Sequence, residues 1–310
     1  YKNNPDIKKL IDIAIRVEGM PRHTSTHAAG VVISKAPVVE YVPLARNKEA
    51  IITQFNMIEL EELGLLKMDF LGLRTLTVIQ DAIDLINKNH NKNIDVYDMD
   101  ENDSEVLKMF TVADTLGIFQ FESPGMRAFL KELKPNKFDD LIAANSLFRP
   151  GPMNEIPKYI ANKENSENIK YLHPKLEPIL NVTYGTIVYQ EQVMQIVQQL
   201  AGFSLGAADN LRRAMGKKKM DVMEQERKKF IYGEVAEDGT ILIEGCIRNG
   251  ISEEIGNKIY DLMIDFAKYA FNKSHSAAYS LVAMRTAWLK HYYPVEFMAA
   301  LISSVMGNTS

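Results

Sequence analysis

The 310-residue sequence predicts a mixed α/β chain that is mostly helical. β-Branched and apolar runs suited to short strands are confined to the first seventy-odd residues. Apolar residues recurring every three or four positions dominate the remainder. Hydrophobic residues at 46% and charged residues at 25% are the proportions of a globular protein with a real core, which excludes wholesale disorder. At roughly 150 residues per domain, the length fills about two domains.

From the start, Pro5 to Glu18 reads as a helix with Ile7, Leu10, Ile11 and Ile15 on one face. A loop of small and polar residues, Met20 to Ala29, leads into the β-branched run Val31-Val32-Ile33. Pro37 and Pro43 break the next stretch, and Ile51 to Phe55 reads as a second strand. Met57 to Leu63 is helical and passes through Gly64 into an apolar strand, Leu65 to Phe70. After Gly72 the texture changes. Arg74 to Lys88 is a helix with Leu76, Ile79, Ile83 and Ile86 aligned, and helices joined by Pro/Gly loops follow. Phe148-Arg149-Pro150-Gly151-Pro152 cannot be helical, because two prolines flank a glycine. Further helices are predicted over Gln190–Leu200, Leu205–Met215, Asp221–Phe230, Ser252–Phe266 and Ser276–Tyr292, the last ending before Pro294. The chain has no internal repeat and no low-complexity tract, and the predicted boundary lies near residue 74.

Composition narrows the function classes. No stretch approaches the roughly 18 to 20 apolar residues of a membrane span. The single cysteine, Cys246, makes no internal disulfide or zinc cage by itself and suits a reducing cytosol. The 36 basic and 40 acidic residues leave a formal charge of −4, so any polyanion site must be a local concentration of charge. The chain opens on Tyr1 with no initiator methionine and no signal-like segment, and its last readable helix stops near Met306. It is expected to be a piece of a longer polypeptide.

Three stretches are candidates for chemistry. Asp69 lies in an apolar strand, where a carboxylate is costly unless a cation or several donors compensate it. Alternation puts Lys67 on the same face. A metal ligand, a structural ion pair and a cap for the following helix all fit these residues. The second stretch is Leu211-Arg212-Arg213-Ala214-Met215-Gly216-Lys217-Lys218-Lys219. From Ala207 to Phe230, eight basic residues stand against four acidic ones. Adjacent arginines followed by lysines suit phosphate, the first by bidentate hydrogen bonds and the second as point charges. A solvated helix face is the alternative. The glycine pattern of a Walker A loop is absent. In the third stretch, Asn272 and Ser274 are good N-cap types, while Lys273 and His275 beside free helix N–H groups would also suit a phosphate.

Other patterns are weaker. His23 and His27 have metal-like spacing, but poor helix formers separate them and no third ligand is near; stoichiometric zinc would be needed to support a zinc hydrolase. Asp95, Asp98, Asp100 and Asp103 belong to a polar loop that lacks the glycine and glutamate of a calcium site. Tyr184, Tyr189, Tyr279, Tyr292 and Tyr293 are expected at half-buried helix faces rather than as a base-stacking set.

Six ordered stretches carry a resemblance across nearly the whole chain. They are His27-Ala28-Ala29-Gly30-Val31-Val32-Ile33, Lys67 to Thr77, Phe148 to Pro152, Tyr189 to Ile196, Leu211 to Lys218 and Phe271 to Tyr279. In them the chain resembles the catalytic α subunits of bacterial DNA polymerase III, the C-family replicative polymerases, of the shorter type without a built-in exonuclease.

The resemblance implies a fold and a set of roles. Residues 1–73 correspond to the C-terminal part of a nucleotidyltransferase-like palm domain. Residues 74–310 correspond to most of a helical fingers domain, truncated at its C-terminal end. Asp69 falls at the third of three catalytic aspartates that hold two Mg²⁺ ions. Lys67 would lie beside the nucleotide phosphates, with Arg212, Arg213, Lys273 and His275 on the triphosphate and Lys217 a weaker candidate. The implied reaction adds deoxynucleotides to a primer 3′ end by two-metal nucleotidyl transfer. Primer-template DNA and deoxynucleoside triphosphates would be the partners, in the cytoplasm at the bacterial nucleoid. A sliding clamp and other replisome subunits would engage parts outside this chain, and no membrane is involved. The family's upstream Asp-x-Asp strand is missing, and Asp98-Met99-Asp100 falls too late to replace it. The resemblance therefore implies a DNA-directed DNA polymerase as the parent and an inactive fragment here. The alternative is a non-catalytic module that binds a triphosphate or DNA phosphates.

Overall fold

A computed structural model describes residues 1, 4–20, 25–27, 29–216, 220–267 and 271–306. The chain divides into two compact units, Tyr1–Leu73 and Arg74–Ser310. It is a mixed α/β structure in which helix predominates.

The first unit begins with α1 (Pro5–Val17). Asn4 caps it by accepting the N–H groups of Asp6 and Ile7, and Pro5 supplies a preset first turn. Three of its four aligned apolar residues, Ile7, Leu10 and Ile15, remain exposed, Leu10 by 66%. Strand β1 (Gly30–Ile33) pairs antiparallel with β4 (Leu66–Asp69), matching Gly30 to Asp69 and Val32 to Lys67. A hairpin of β2 (Leu44–Asn47) and β3 (Ala50–Thr53) lies between them in sequence. Helix α2 (Met57–Glu62) starts on a reciprocal cap, Asn56 accepting from the Glu59 N–H while the Glu59 carboxylate accepts from the Asn56 N–H. The core of this unit is small. Val42, Leu60 and Leu65 are buried, with Val32, Val38 and Leu44 against them.

The second unit runs through α3 (Arg74–His90), α4 (Ser104–Thr111), α5 (Pro124–Leu133), α6 (Phe138–Leu147), α7 (Ile156–Glu164) and α8 (Glu177–Leu180). It continues with α9 (Gln190–Ala201), α10 (Leu205–Gly216) and α11 (Met220–Tyr232). A short hairpin, β5 (Glu234–Val235) and β6 (Ile241–Ile243), precedes α12 (Gly245–Arg248), α13 (Glu253–Ala267), α14 (Lys273–Tyr292) and α15 (Pro294–Ser303). Three apolar clusters hold it together. One joins α4, α5, α6 and the middle of α14 around Phe110, Phe121 and Leu147. The second joins α8 through α13 around Ile196, Phe230 and Tyr260. The third joins α3, α14 and α15 around Ile86 and Phe297. Helices α6 and α14 pack against each other, and Ala143, Ala144, Ala283 and Ala287 on them are buried in one cluster. The same seam carries a buried Ser146–Ser276 hydroxyl pair at 2.6 Å and a bond from Asn145 Nδ2 to Ser280 Oγ.

Two differences from the sequence reading have clear causes. The final long helix begins at Lys273 rather than Ser276, because Asn272, immediately before Lys273, caps it and accepts the His275 N–H. Helices α4 to α7 are not individually predicted; they are short, and α6 is buried on nearly every side, Asp140 and Ser146 included, so its sequence lacks a clean 3.6-residue stripe. Among the described residues no helix is long and apolar enough to cross a membrane.

Candidate functional site

In the first unit, pleating puts Lys67 and Asp69 on one face of β4, and they form an ion pair with Lys67 Nζ 2.7 Å from Asp69 Oδ1. Lys67 is 16% exposed at its side chain and Asp69 43%. The hydrogen bond from Lys67 holds the Asp69 carboxyl below the usual aspartate range, so it stays ionised to lower pH. The position facing Asp69 across the ladder is Gly30. A Cβ there would stand 2.7 Å from Lys67 Cε, 2.9 Å from His27 Nδ1 and 3.2 Å from Asp69 Oδ1. The bare glycine is what gives the Lys67 stem its room. His27 Nδ1 lies 4.0 Å from Asp69 Oδ1 and also accepts the Ala29 N–H. A ring nitrogen that accepts cannot donate at the same time, so His27 flanks Asp69 rather than bridging to it.

A single carboxylate is one ligand, not a cage. Among the described residues no group of three or more His, Cys, Asp or Glu is arranged to hold a metal ion. Asp69 fits Mg²⁺ as one hard, partly exposed oxygen ligand, and the rest of an octahedral shell would come from elsewhere. His23 lies outside the described residues. The four aspartates from Asp95 to Asp103 are engaged locally. Asp95 accepts from Tyr97 N–H, Asp98 from Asp95 N–H, Asp100 from Asn102 N–H, and Asp103 caps α4.

In the second unit Arg212 and Lys273 lie against the start of α9. Gln192 fixes that start, its Oε1 accepting the Val188 and Tyr189 N–H groups while its Nε2 donates to Thr183 Oγ1 and Ile179 O. All four hydrogen-bonding positions of this buried amide are satisfied, which makes a rigid corner. The first two residues of α9 then reach outward. Gln190 N–H donates to Phe271 O, and Gln190 Oε1 accepts from Arg212 Nη1 at 2.8 Å. Glu191 accepts the Lys273 N–H and Asn272 Nδ2, tying the beginning of α14 to α9 across 82 residues of sequence.

Around that corner stand Arg212, Arg213, Lys273, His275 and Arg149. Asp209 Oδ1 accepts from Arg212 Nε and Nη2, and its Oδ2 accepts from Arg213 Nε. Those bonds, Arg212 first, hold the Asp209 carboxyl below its ordinary range. Lys273 Nζ lies 3.8 Å from Asp139 and 5.4 Å from the Tyr189 ring centre. The Arg149 guanidinium covers the Phe271 ring at 3.7 Å. His275 lies edge-on to Phe271 and 4.2 Å from the Tyr279 ring centre. The sequence expectation of free N–H groups at this helix start is corrected. Glu191 takes the Lys273 N–H and Asn272 takes that of His275, so two of the first three N–H groups are already engaged. Lys217 lies outside the described residues.

Sequence reasoning missed Gly30, Arg149, Gln190, Glu191 and Asp209. Only Asp209 carried a local signal, an acid three and four residues before two arginines. Of the five tyrosines, Tyr189 is buried, Tyr184, Tyr279 and Tyr293 are half-buried, and Tyr292 is exposed.

Comparison with known proteins places these two clusters in context. The bacterial DNA polymerase III alpha subunit finger domain model matches residues 75–238, and the bacterial DNA polymerase III alpha NTPase domain model matches residues 1–72. The chain belongs to the bacterial DNA polymerase III alpha subunit family. DNA polymerase III subunit alpha of Bacillus subtilis strain 168 is 46% identical over 303 residues, covering 97% of this chain and 26% of that protein. The subunit from Halalkalibacterium halodurans is 47% identical over 301 residues, with 97% and 26% covered. That from Staphylococcus aureus strain COL is 46% identical, with 97% and 27% covered. The chain thus spans about a quarter of the length of these family members. Asp69 falls within the stretch matched by the NTPase domain and Arg212 and Arg213 within the stretch matched by the finger domain; Lys273 and His275 lie beyond both.

Proposed function

We propose that this chain is the palm-and-fingers portion of a replicative DNA-directed DNA polymerase, binding the incoming deoxynucleoside triphosphate for addition to a primer 3′ end. Residues 1–73 act as the C-terminal part of the palm and residues 74–310 as most of the fingers. The observation that carries this reading is the placement of Arg212 and Lys273 at the fixed start of α9, with Arg213 tied beside Arg212 through Asp209, within a chain of this family. A triphosphate brings roughly four negative charges, and cations placed in advance stabilise the charge that builds on departing pyrophosphate.

Arg212 and Arg213 offer the planar fork that matches phosphate oxygens, while Lys273 and His275 supply flexible charge and a ring edge. In the first unit, Asp69 would hold Mg²⁺ as one of its ligands, and Lys67 would stand beside the phosphates. Two Mg²⁺ ions, when bound, supply the charge that activates a primer hydroxyl and steadies a leaving group. Primer-template DNA, a sliding clamp and other replisome subunits are partners of the longer polymerase, in the bacterial cytoplasm at the nucleoid. A second reading, a binding module without catalysis, is favoured for the isolated chain by the lone Asp69 carboxylate.

The test is Mg²⁺-dependent binding of a fluorescent deoxynucleoside triphosphate, alongside primer extension. The chain is expected to bind, and the double variant Arg212→Ala/Arg213→Ala to lose at least about tenfold in affinity, a loss of about 1.4 kcal/mol. Primer extension by the chain alone is expected to be undetectable. Equal binding by both proteins would move the phosphate grip off these arginines, and extension by the isolated chain would remove the second reading.

A further inference from the structure

We infer that Asp209 is a positioning residue that sets the two guanidiniums of Arg212 and Arg213 for a triphosphate before it arrives, an inference that rests on the function proposed above. One carboxylate takes three donors. Oδ1 receives Arg212 Nε at 2.9 Å and Nη2 at 2.7 Å, and Oδ2 receives Arg213 Nε at 2.8 Å. Gln190 holds the remaining Arg212 nitrogen, Nη1, at 2.8 Å. Arg212 is therefore clamped on two sides and 29% exposed. Arg213 is held by its inner nitrogen alone and is 66% exposed, and its two terminal nitrogens have no protein partner among the described residues.

This is a division of labour along one turn of α10. Arg212 braces the turn against α9 and fixes the height of the fork, while Arg213 projects its free end. A guanidinium on a long stem is otherwise disordered, and fixing it is a cost that a phosphate would meet on binding. Asp209 meets that cost in the free protein. Its own negative charge opposes a triphosphate, but the two guanidiniums that it pairs with leave the cluster with a net positive charge and screen it. Ordering two forks outweighs that screened repulsion. The two effects have opposite signs, so an experiment separates them.

Binding of Mg²⁺–deoxynucleoside triphosphate and of inorganic tripolyphosphate would be measured on the chain and on Asp209→Ala, Asp209→Glu and Arg212→Ala/Arg213→Ala. Asp209→Ala is expected to weaken both ligands by a similar factor, about tenfold, with the melting temperature unchanged. Glutamate keeps the acceptor within reach of both arginines and is expected to restore most of the affinity. Unchanged or tighter binding by Asp209→Ala, while the double arginine variant loses it, would overturn the role of Asp209 and leave the arginine grip standing. Weakening that glutamate does not rescue, or that appears for the nucleotide and not for tripolyphosphate, would also overturn it. Wild-type binding by the double arginine variant, or no binding by the chain itself, would take down the underlying assignment and this inference together.

Discussion

The two units position their charged side chains by different means. Around Arg212, Arg213 and Lys273, order flows from a thick core: the second unit has three apolar clusters, and a fully satisfied buried glutamine anchors the corner. Around Asp69, the supporting core is three buried residues, and Val31, Ile33, Leu66, Met68, Phe70 and Leu71 nearby in sequence are exposed. What holds Asp69 is therefore local, an ion pair on one strand face and a glycine across the ladder. A small unit buries a smaller share of its surface, so its charged residue depends on neighbours two residues away rather than on packing. Damage to the core should therefore register differently in the two units.

The largest expected effect is in the second unit. Asp140 is fully buried and accepts from Lys163 Nζ at 2.8 Å, from Asn136 N–H and from the Tyr184 hydroxyl. Lys163→Met leaves that carboxylate without its cation, and a loss of about 3–5 kcal/mol is expected in urea unfolding. Trp288, the only tryptophan in the chain, lies on α14, so its fluorescence follows this unit. Leu60→Ala in the first unit is expected to leave the Trp288 transition in place while speeding amide exchange in β1 and β4. A shift of the Trp288 transition by Leu60→Ala would mean that the two units unfold as one, and the contrast between them would fall.

Gly30→Ala should act on the Asp69 site while sparing the fold. The glycine has ordinary strand geometry, and the added methyl meets the flexible end of Lys67 first, so stability should change by less than about 1 kcal/mol. The Lys67–Asp69 pair should separate, letting the Asp69 carboxyl titrate closer to its ordinary value of 3.8 when followed by NMR. An unchanged titration would show that Lys67 reaches Asp69 by another route and that Gly30 has no part in the site.

These contacts also show what a sequence can disclose. The shared face of Lys67 and Asp69 follows from a period of two, and the nearness of Arg212 and Arg213 from their adjacency. The cap at Asn272 is readable from its residue type, though the sequence pattern puts the start of the helix at Ser276. Glu191 and Gln190 were not readable, because their partners lie 82 and 22 residues away and neither residue stands out by type. Gly30 was visible only as part of a strand; its role appears once the register sets it against Asp69. Long-range pairing carries the information that periodicity lacks.

The smallest effect sharpens the contrast most directly. The folded-state pKa of Asp69 is depressed by the hydrogen bond from Lys67, so the pair stabilises the fold above the ordinary carboxylate value. That contribution fades as pH falls through 3.8 and on through the lower folded value. Asp69→Asn removes the titration. The difference in urea midpoint between wild type and variant, followed on β4 amide resonances, should be constant from about pH 7 down to pH 5 and shrink toward zero near pH 2. Because Asp69 is exposed, the whole difference should be small and shrink further in high salt. A large, salt-insensitive difference would mean that Asp69 is held by something stronger than Lys67, and the first unit would then resemble the second in how it fixes its charges.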